Sequence, residues 1–356
     1  MEQTIDKTKP VLVTGASGYI ANWIILDLLQ AGYTVHGTVR DPDNQRSVGP
    51  LHKLAARAPQ GRLQLFRADL LEPGSFDAAM EGCEVVLHTA SPFVIRGFDD
   101  AEAALIRPAV EGTRNVLEAA NRVASVQRVV LTSSVAAIYG DNADLQEIPR
   151  DCFTEEDWNF SSGVYHQPYS YSKLLAEKEA WKIHDAQSRW RLVCINPSMV
   201  CGPALTPFSQ STSIDTLRSL GTGKMWPGAP ELRMAWVDVR DVAQAHLEAA
   251  FRPDANGRHI VSNGELSFLQ VAQILKRHYG SGYRFPVFEL PKFVVKWFGW
   301  MLDSSVKPKF VERNVGHAIC FDNSRGRKRL GLEYRPLEQT FVDHFQQMID
   351  DGLIRA

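Results

Sequence analysis

The chain has 356 residues and a formal net charge of −2, with 44% hydrophobic and 22% charged residues. These values are typical of a globular protein long enough for one large domain, or for two that share a core. No basic excess is present to neutralise a phosphate backbone, so we expect no nucleic-acid partner. Residues 1–7 lack the apolar run of a signal peptide, and no stretch is long and apolar enough to span a bilayer. We therefore expect a cytoplasmic protein without a membrane anchor.

The five cysteines are scattered along the chain, at Cys83, Cys152, Cys194, Cys201 and Cys320. No two of them have the close spacing of a metal or redox site, so we expect no bound metal. Their odd number argues against a disulfide framework. Free thiols in a reducing compartment are the expectation.

Short apolar runs alternate with longer helical patterns through the first half of the chain. Strands are predicted at Val11–Thr14, Thr34–Val39, Leu63–Arg67, Val85–His88, Val129–Thr132 and Leu192–Ile195. Helices are predicted between them at Ser17–Ala31, Gly74–Met80, Ala101–Arg122 and Pro168–Gln187. Strands separated by helices predict an α/β protein with a doubly wound parallel sheet.

The composition changes after Asn196, where prolines and glycines become frequent and strand signals become few. We expect residues 1–195 to form the sheet domain and residues 236–262 to return to it, with another strand and helix at Trp236–Ala250. Residues 196–235 and 263–356 would form a smaller lobe. Within that lobe, the apolar stretch 293–301 is predicted to be an amphipathic helix that faces the core.

A glycine turn joins the first predicted strand to the first predicted helix. Gly15 permits a tight turn, and Gly18 lets the backbone approach a pyrophosphate at the helix N-terminus. The spacing is Gly-x-x-Gly-x-x-Ala, in which Ala21 is small enough for close packing of the helix on the strand. Such a loop can also be a turn without a ligand, but the strand–turn–helix setting favours a dinucleotide. The residues expected around its phosphates are Gly15, Ser17, Gly18, Tyr19 and Ile20.

The end of the second predicted strand discriminates between cofactors. Proteins that bind NAD usually place an acidic residue there to hold the ribose hydroxyls, whereas this chain has Val39 followed by Arg40. A guanidinium can hold a 2′-phosphate through two charged hydrogen bonds, and Arg46 would add charge. The alternative for Arg40 is a solvated loop residue. The pattern favours NADP(H) as the cofactor.

Tyr169 and Lys173 are four residues apart, which places them on one face of a predicted helix about 6 Å apart along its axis. A tyrosine alone is a poor acid at neutral pH because its reference pKa is near 10. We expect the ammonium of Lys173 to lower the pKa of Tyr169 and make it a proton donor to a carbonyl. By itself the pair is more typical of a partly buried Tyr beside a solvated Lys. The cofactor signals favour the catalytic interpretation.

In these motifs and their order, the chain resembles the extended short-chain dehydrogenase/reductase family. Within it, the chain is most similar to the branch of dihydroflavonol reductases, cinnamoyl-CoA reductases and microbial aldehyde or ketone reductases. The resemblance implies a Rossmann fold with a smaller, mostly C-terminal substrate-binding lobe. The similarity runs through nearly the whole chain. Its landmarks are Thr14–Ala21, Thr38–Asp41, Ala68–Leu70, His88–Pro92, Asn115, Thr132–Ser134, Tyr169–Lys173, Asn196–Ser198 and Trp236–Asp241.

The resemblance also implies cofactor contacts. Asp69 and Leu70 would line the adenine pocket, and Thr89, Ala90 and Ser91 would lie on the loop under the cofactor. Thr132 and Ser133 would lie beside the nicotinamide ribose. Pro197, Ser198 and Val200 would flank the nicotinamide ring.

The third catalytic group that the resemblance implies is a serine. Ser134 would polarise the substrate oxygen beside Tyr169, while Lys173 would also bind the ribose hydroxyls. Ser133 is the alternative, because the sequence does not show which hydroxyl points inward. Asn115 would hold a water in a proton relay, unless it only caps a helix.

Two regions depart from the named members of the branch. Tyr139 stands five residues past Ser134, where dihydroflavonol reductases carry an Asn that contacts flavonoid hydroxyls. Residues 166–170 replace the Asn-Trp-Tyr-Cys signature of cinnamoyl-CoA reductases. Both substrate classes are therefore in doubt. An apolar substrate pocket is predicted from side chains that could equally pack in the core or in loops: Phe93, Trp158, Tyr165, Met225 and Trp226.

Together these features predict an NADPH-dependent reductase that converts a small aldehyde or ketone to an alcohol, as a monomer or homodimer. An epimerase, dehydratase or hydroxysteroid dehydrogenase on the same scaffold is the alternative. Ala21 and Arg40 argue against the nucleotide-sugar enzymes of the family. A cofactor-sensing protein without activity is disfavoured because Tyr169 and Lys173 are both present.

Overall fold

The computed structural model describes residues 5–92, 100–206, 212–302 and 306–354. The strands within these ranges are β1 Val11–Thr14, β2 Thr34–Val39, β3 Arg62–Arg67, β4 Val85–His88, β5 Arg128–Thr132, β6 Arg191–Pro197, β7 Met199–Cys201, β8 Gly228–Pro230, β9 Arg233–Asp238, β10 Gly257–Val261, β11 Glu265–Ser267 and β12 Phe288–Leu290. The α-helices are α1 Tyr19–Gln30, α2 Gln45–Ala56, α3 Asp77–Met80, α4 Arg107–Arg122, α5 Pro168–Asp185, α6 Thr212–Gly221, α7 Val239–Phe251, α8 Phe268–Tyr279, α9 Lys292–Leu302, α10 Pro308–Asn314, α11 Ser324–Leu330 and α12 Leu337–Asp350.

Seven parallel strands form the central sheet, in the order β10-β6-β5-β4-β1-β2-β3. After β3 the chain crosses to the other side of β1 and continues with β4. The strand order therefore reverses between β1 and β4, and the crevice outside their carboxyl ends is where doubly wound sheets bind ligands. The predicted α/β doubly wound class is confirmed.

Apolar cores cover both faces of this sheet. One core contains buried side chains of α1, α2 and α7, and the other contains those of α3, α4 and α5. All four residues of β1 and of β4 are buried, which explains why these strands appear in the sequence as unbroken apolar runs.

The predicted strands of the first half match the observed ones at most of their ends, but one helix was not predicted. Helix α2 contains Gly49 and Pro50, which weaken a helical pattern in the sequence. It is held by tertiary packing of Val48, Leu51 and Leu54, and the side chain of Asn44 caps its first turn.

The strand expected to return to the sheet near Trp236 is wrong in its placement. Strand β9 lies instead in a three-stranded sheet, parallel to β7 and antiparallel to β11. Strand β7 follows β6 directly beyond Pro197, so it offers β9 a pairing edge away from the main sheet. The seventh main strand is β10, and α7 packs against α1 on the face of that sheet.

The smaller lobe is assembled around the three-stranded sheet. Its core joins β9 to α8 and α12, with Trp236 in edge contact with Phe341 at a centroid distance of 5.2 Å. Strands β8 and β12 form a parallel pair at its margin. Two segments supply this lobe, one between β6 and α7 and the other after β10.

One expectation about the cysteines is wrong: Cys152 and Cys320 form a disulfide. The neighbouring residues Phe153 and Phe321 pair as a parallel bridge, with a backbone hydrogen bond of 2.9 Å from Phe153 N to the carbonyl of Cys320. The two cysteines are 168 residues apart, so their spacing carries no signal in the sequence. Cys83, Cys194 and Cys201 are buried free thiols.

Helix α9 also differs from expectation. Val295 is buried against α10, but Phe293, Trp297 and Phe298 are 66%, 68% and 59% exposed. The predicted core-facing helix is thus wrong for most of its aromatic residues, because the lobe covers only one narrow side of α9. No helix in the described ranges is long and apolar enough to cross a membrane.

Candidate active site

The β1–α1 turn is built for close approach of backbone. Gly15 has φ +66°, and a Cβ added there would lie 3.0 Å from the Cα of Ala90. Other residues therefore could not take this conformation without displacing the loop after β4. The N–H of Gly15 donates to the hydroxyl of Thr38, and the N–H of Ala90 donates to the hydroxyl of Thr14, both at 3.1 Å.

A buried histidine supports this turn. The ring Nδ1 of His88 lies 2.9 Å from the hydroxyl of Thr14. Burial lowers the pKa of His88 to about 3, and the positive charge of Lys173 acts in the same direction. His88 is therefore neutral at physiological pH. The hydroxyl of Thr89 also donates to the carbonyl of Thr14, so both sides of the turn are fixed.

The first turn of α1 presents backbone N–H groups rather than side chains. The hydroxyl of Tyr19 is buried and donates to the carbonyl of Gly202, which ties α1 to the smaller lobe. Ile20 packs against the core beneath α1. Tyr19 and Ile20 can thus contribute to a phosphate site through their backbone.

A cavity of about 110 Å³ lies between the starts of α1 and α2, with Ser17, Arg46 and Thr206 among its lining residues. Arg40 is exposed at the end of β2. Arg46 at the cavity and Arg40 at the strand end provide two positive charges. These suit a phosphate better than ribose hydroxyls alone.

The segment after β3 is tethered to α4. Asn115 donates its side-chain amide to the carbonyl of Leu70 at 2.7 Å. It lies in the middle of α4, so it does not cap a helix. Asp69 is held next to it, because its carboxylate accepts the N–H of Leu71 at 2.8 Å and its own N–H donates to Ser75. This places Asp69 and Leu70 on a fixed turn at the edge of the crevice.

Helix α5 carries the predicted catalytic pair. It begins at Pro168, after Gln167, whose φ of 55° is the one positive value outside glycine among the described residues. Lys173 is 8% exposed, and its Nζ lies 5.9 Å from the ring centroid of Tyr169 and 3.1 Å from the hydroxyl of Ser91. The structure thus brings Ser91, Tyr169 and Lys173 together.

The three hydroxyls at the end of β5 point in different directions. Thr132 bonds to the ring Nε2 of His246 on α7, at 2.6 Å. Ser133 is buried and donates to the carboxylate of Glu177 on α5. Ser134 alone of the three is hydrogen-bonded to Tyr169. The geometry therefore groups Ser134, and not Ser133, with Tyr169 of the predicted catalytic pair.

The pKa values differ from the sequence-based expectation. Desolvation raises the pKa of Tyr169 to about 12, although its hydrogen bond to Ser134 acts in the opposite direction. Burial lowers the pKa of Lys173 to about 8, and the negative charge of Glu177 opposes that change. The expected lowering of the Tyr169 pKa is therefore wrong for the free protein, because desolvation outweighs the hydrogen bond with Ser134.

The end of β6 completes the crevice. Pro197 is its last residue, and Ser198 follows with a buried hydroxyl that has no partner among the described residues. Val200 is half-buried in β7. Buried hydroxyls normally have a partner, so a polar group of a ligand fits this position. Together with the glycine turn, this donor set fits a dinucleotide.

The predicted aromatic pocket does not form as one wall. Trp158 stacks under Arg258 at 3.9 Å, Tyr165 and Trp226 are 91% and 58% exposed, and Met225 packs at the edge of the lobe core. Phe93 lies outside the described residues. Tyr139 instead packs against two aromatic rings, those of Phe153 and Phe321, at 5.6 and 5.1 Å.

One residue of the site was missed in the sequence. Glu177 is 1% exposed and lies one turn of α5 beyond Lys173. The signal was present, since Tyr169, Lys173 and Glu177 recur every four residues and so share a helix face. A Glu on an exposed helix face gives the same pattern, so the sequence did not distinguish the two. The described residues contain no group of three His, Cys, Asp or Glu that could hold a metal ion.

Comparison with known proteins gives consistent matches over most of the chain. A model of the NAD dependent epimerase/dehydratase family matches residues 11–263. Cinnamoyl-CoA reductase CAD2 of Medicago truncatula is 38% identical over 341 residues, 95% of each chain. Tetraketide alpha-pyrone reductase 1 of Arabidopsis thaliana is 36% identical over 357 residues, 98% of each chain. The structure of yeast methylglyoxal/isovaleraldehyde reductase Gre2, complexed with NADPH, matches with a TM-score of 0.78 and 30% identity, covering 97% of this chain and 100% of that one.

Proposed function

Because the chain belongs to the NAD dependent epimerase/dehydratase family and is an NADP-dependent oxidoreductase of its extended short-chain type, we propose that it reduces an aldehyde or ketone to an alcohol. The observation that carries this proposal is the grouping of Ser134, Tyr169 and Lys173 beside the glycine turn. No other described cluster combines a proton donor with a dinucleotide crevice.

NADPH would be held by the glycine turn, the cavity beside Arg46, the Leu70 turn and the end of β6. When bound, it supplies the hydride that becomes the new C–H bond of the alcohol. The residues assigned to it are those at the carboxyl edge of the sheet. Thr132 and Tyr19 contribute through backbone, because their hydroxyls are already bonded elsewhere.

Tyr169 is proposed to be the general acid. Its pKa of about 12 keeps the phenol protonated throughout the neutral range, which is the state that reduction requires. It donates its proton to the carbonyl oxygen as the carbon receives hydride, and solvent reprotonates the phenolate afterwards. Ser134 donates to the same oxygen, and the ammonium of Lys173 stabilises the phenolate.

The substrate class follows from the relatives and from this site. The named relatives act on aldehydes, thioesters or polyketide pyrones, which share a carbonyl carbon bonded to a carbon skeleton. Tyr139, five residues past Ser134 in the chain, packs with Phe153 and Phe321 in a buried apolar cluster. From the substrates of the relatives, we propose a carbonyl with an apolar or aromatic substituent as the preferred substrate.

The test is NADPH consumption with a panel of aromatic and aliphatic aldehydes, ketones and acyl-CoA esters. Tyr169→Phe keeps the ring and removes the proton donor, so turnover should fall on the order of a thousandfold while NADPH affinity stays within a few-fold.

Tyr171→Phe is the matched control. It lies two residues further on, about 200° around the helix, and should leave turnover unchanged. If Tyr169→Phe retains full activity, or if the wild type consumes NADPH with no carbonyl on the panel, the proposed function is wrong.

A further inference from the structure

Glu177 is a buried carboxylate whose two oxygens are both fully used. Oε1 accepts from the Nε of Arg258 at 2.6 Å. The side chain of Glu177 is 0% exposed. Oε2 accepts from the side-chain amide of Asn196 at 2.8 Å and from the hydroxyl of Ser133. Residues of β5, β6 and β10 therefore converge on one group of α5.

An ionised carboxylate is stable at this depth only because its partners are charged or strongly polar. Burying a charge is unfavourable unless it is paired and hydrogen-bonded. Arg258 provides the paired charge, and its Nη1 donates to the carbonyls of Glu155 and Asp157. Arg258, itself held by these carbonyls, thus fixes the position of the Glu177 carboxylate.

This carboxylate is one step removed from the reacting groups. Asn196 donates both to Glu177 and to the backbone carbonyl of Ser134, at 3.1 Å for the latter. Ser133, the neighbour of Ser134, is bonded to Glu177 directly. The turn that presents the Ser134 hydroxyl is therefore anchored through Glu177.

Glu177 also sets the charge around Lys173. The ammonium lies against the hydroxyl of Ser91 and the ring of Tyr169, and the ring of His88 on β4 is neutral. Glu177 stands one helical turn beyond Lys173, and its negative charge favours the protonated amine. Of these, Glu177 is the one negative charge.

We propose that Glu177 is a positioning residue for the reduction proposed above, which anchors the Ser134 turn and supplies the counter-charge of Lys173. It touches neither substrate nor cofactor. This role rests on the proposed function. It assigns two separable effects to one carboxylate: its negative charge acts on Lys173, and the position of its oxygens holds the turn at Ser134.

Glu177→Gln tests the charge, since the amide has nearly the same shape. Without the negative charge Lys173 loses its proton more readily, so the alkaline limb of kcat/KM should move to lower pH by about one unit or more. Glu177→Asp tests the position of the carboxylate oxygens. It keeps the charge but withdraws the oxygens, so the alkaline limb should stay in place while kcat falls by at least about tenfold at every pH.

Arg258→Gln provides an independent measurement. It removes the paired charge that keeps the buried carboxylate ionised, so the counter-charge of Lys173 is lost and the alkaline limb should move to lower pH, as in Glu177→Gln. Glu179→Gln is the matched control, because Glu179 lies on the same helix but pairs with Arg114 at the surface. Its profile should match the wild type.

The outcomes separate this inference from the proposed function. A wild type that reduces no carbonyl rejects the function itself. An active wild type whose alkaline limb is unmoved in Glu177→Gln, or unmoved in Arg258→Gln if the first variant does not fold, overturns the role of Glu177. Melting temperatures identify any variant whose loss of rate is a loss of fold.

Discussion

At the scale of single residues, Arg40 is the position at which cofactor choice can be tested. It is exposed at the end of β2, and Arg46 lines the cavity between the starts of α1 and α2. Two charged hydrogen bonds to a 2′-phosphate would contribute roughly 3 kcal/mol, or about a hundredfold in affinity. Arg40→Ala should therefore weaken NADPH binding by about that factor and leave NADH binding nearly unchanged, as measured by calorimetry.

Arg57→Ala is the control for Arg40, since it removes an exposed cation at the far end of α2. Equal losses of NADPH and NADH affinity in Arg40→Ala would show that this side chain does not contact the phosphate. Loss of NADPH affinity in both variants would indicate only a general effect of surface charge.

The residues of the site differ in how far the sequence could predict them. Tyr169, Lys173 and Ser134 lie in recognisable motifs, and the structure groups them. The sequence could not predict the direction of the Ser133 hydroxyl, because that depends on Glu177 from another element. Nor could it predict that desolvation would raise the pKa of Tyr169, since burial depends on the whole fold.

At the scale of elements, the β1–α1 turn is the segment most sensitive to one added methyl group. Gly15→Ala would place a Cβ at a positive φ and against Ala90 at once. We expect a loss of unfolding free energy of about 2 kcal/mol or more, because backbone strain and overlap add. NADPH binding should weaken as well, since the turn must shift.

Gly82→Ala separates these two effects. Gly82 has φ +73° but no atom within 4 Å of an added Cβ. It should lose only the strain, about 1–2 kcal/mol, and keep its NADPH affinity. Chemical denaturation and cofactor titration of both variants measure this. Equal NADPH affinities in the two variants would show that the contact with Ala90 does not shape the cofactor site.

The bounds of an element could be predicted from the sequence where local propensity and packing in the fold favour the same structure. Strands β1, β2 and β4 have the predicted bounds: β1 and β4 are buried along their whole length and mostly apolar, and β2 contains Val35 and Val39 between turn signals. Helix α2 and strand β10 were not predicted. Gly49 and Pro50 lower the helical propensity of α2. Strand β10 is fixed by its pairing with β6, and the periodicity of the sequence carries no information about that pairing.

At the scale of the whole molecule, the disulfide joins residues 168 positions apart. Closing a loop of that length in the unfolded chain gives up to about 5 kcal/mol of stabilisation in the chain-entropy model. Cys152→Ala should lower the melting temperature measurably, and a reductant should lower that of the wild type toward the same value.

The control is a double-mutant cycle. Cys320→Ala and the double variant should each melt near Cys152→Ala, and reductant should change none of the three. Additive losses, or a wild type insensitive to reductant whose free thiols number five by mass spectrometry, would show that the bond does not form in solution.

The central sheet is not complete until late in the chain. Strand β6 ends at Pro197, but its outer neighbour β10 begins only at Gly257. During synthesis at about 5–20 residues per second, the ribosome needs several seconds to make the chain between them. For that interval β6, buried on both faces in the finished protein, has an unpaired edge that can pair with other nascent chains. Slower translation of residues 198–256 would lengthen this interval, and faster translation would shorten it.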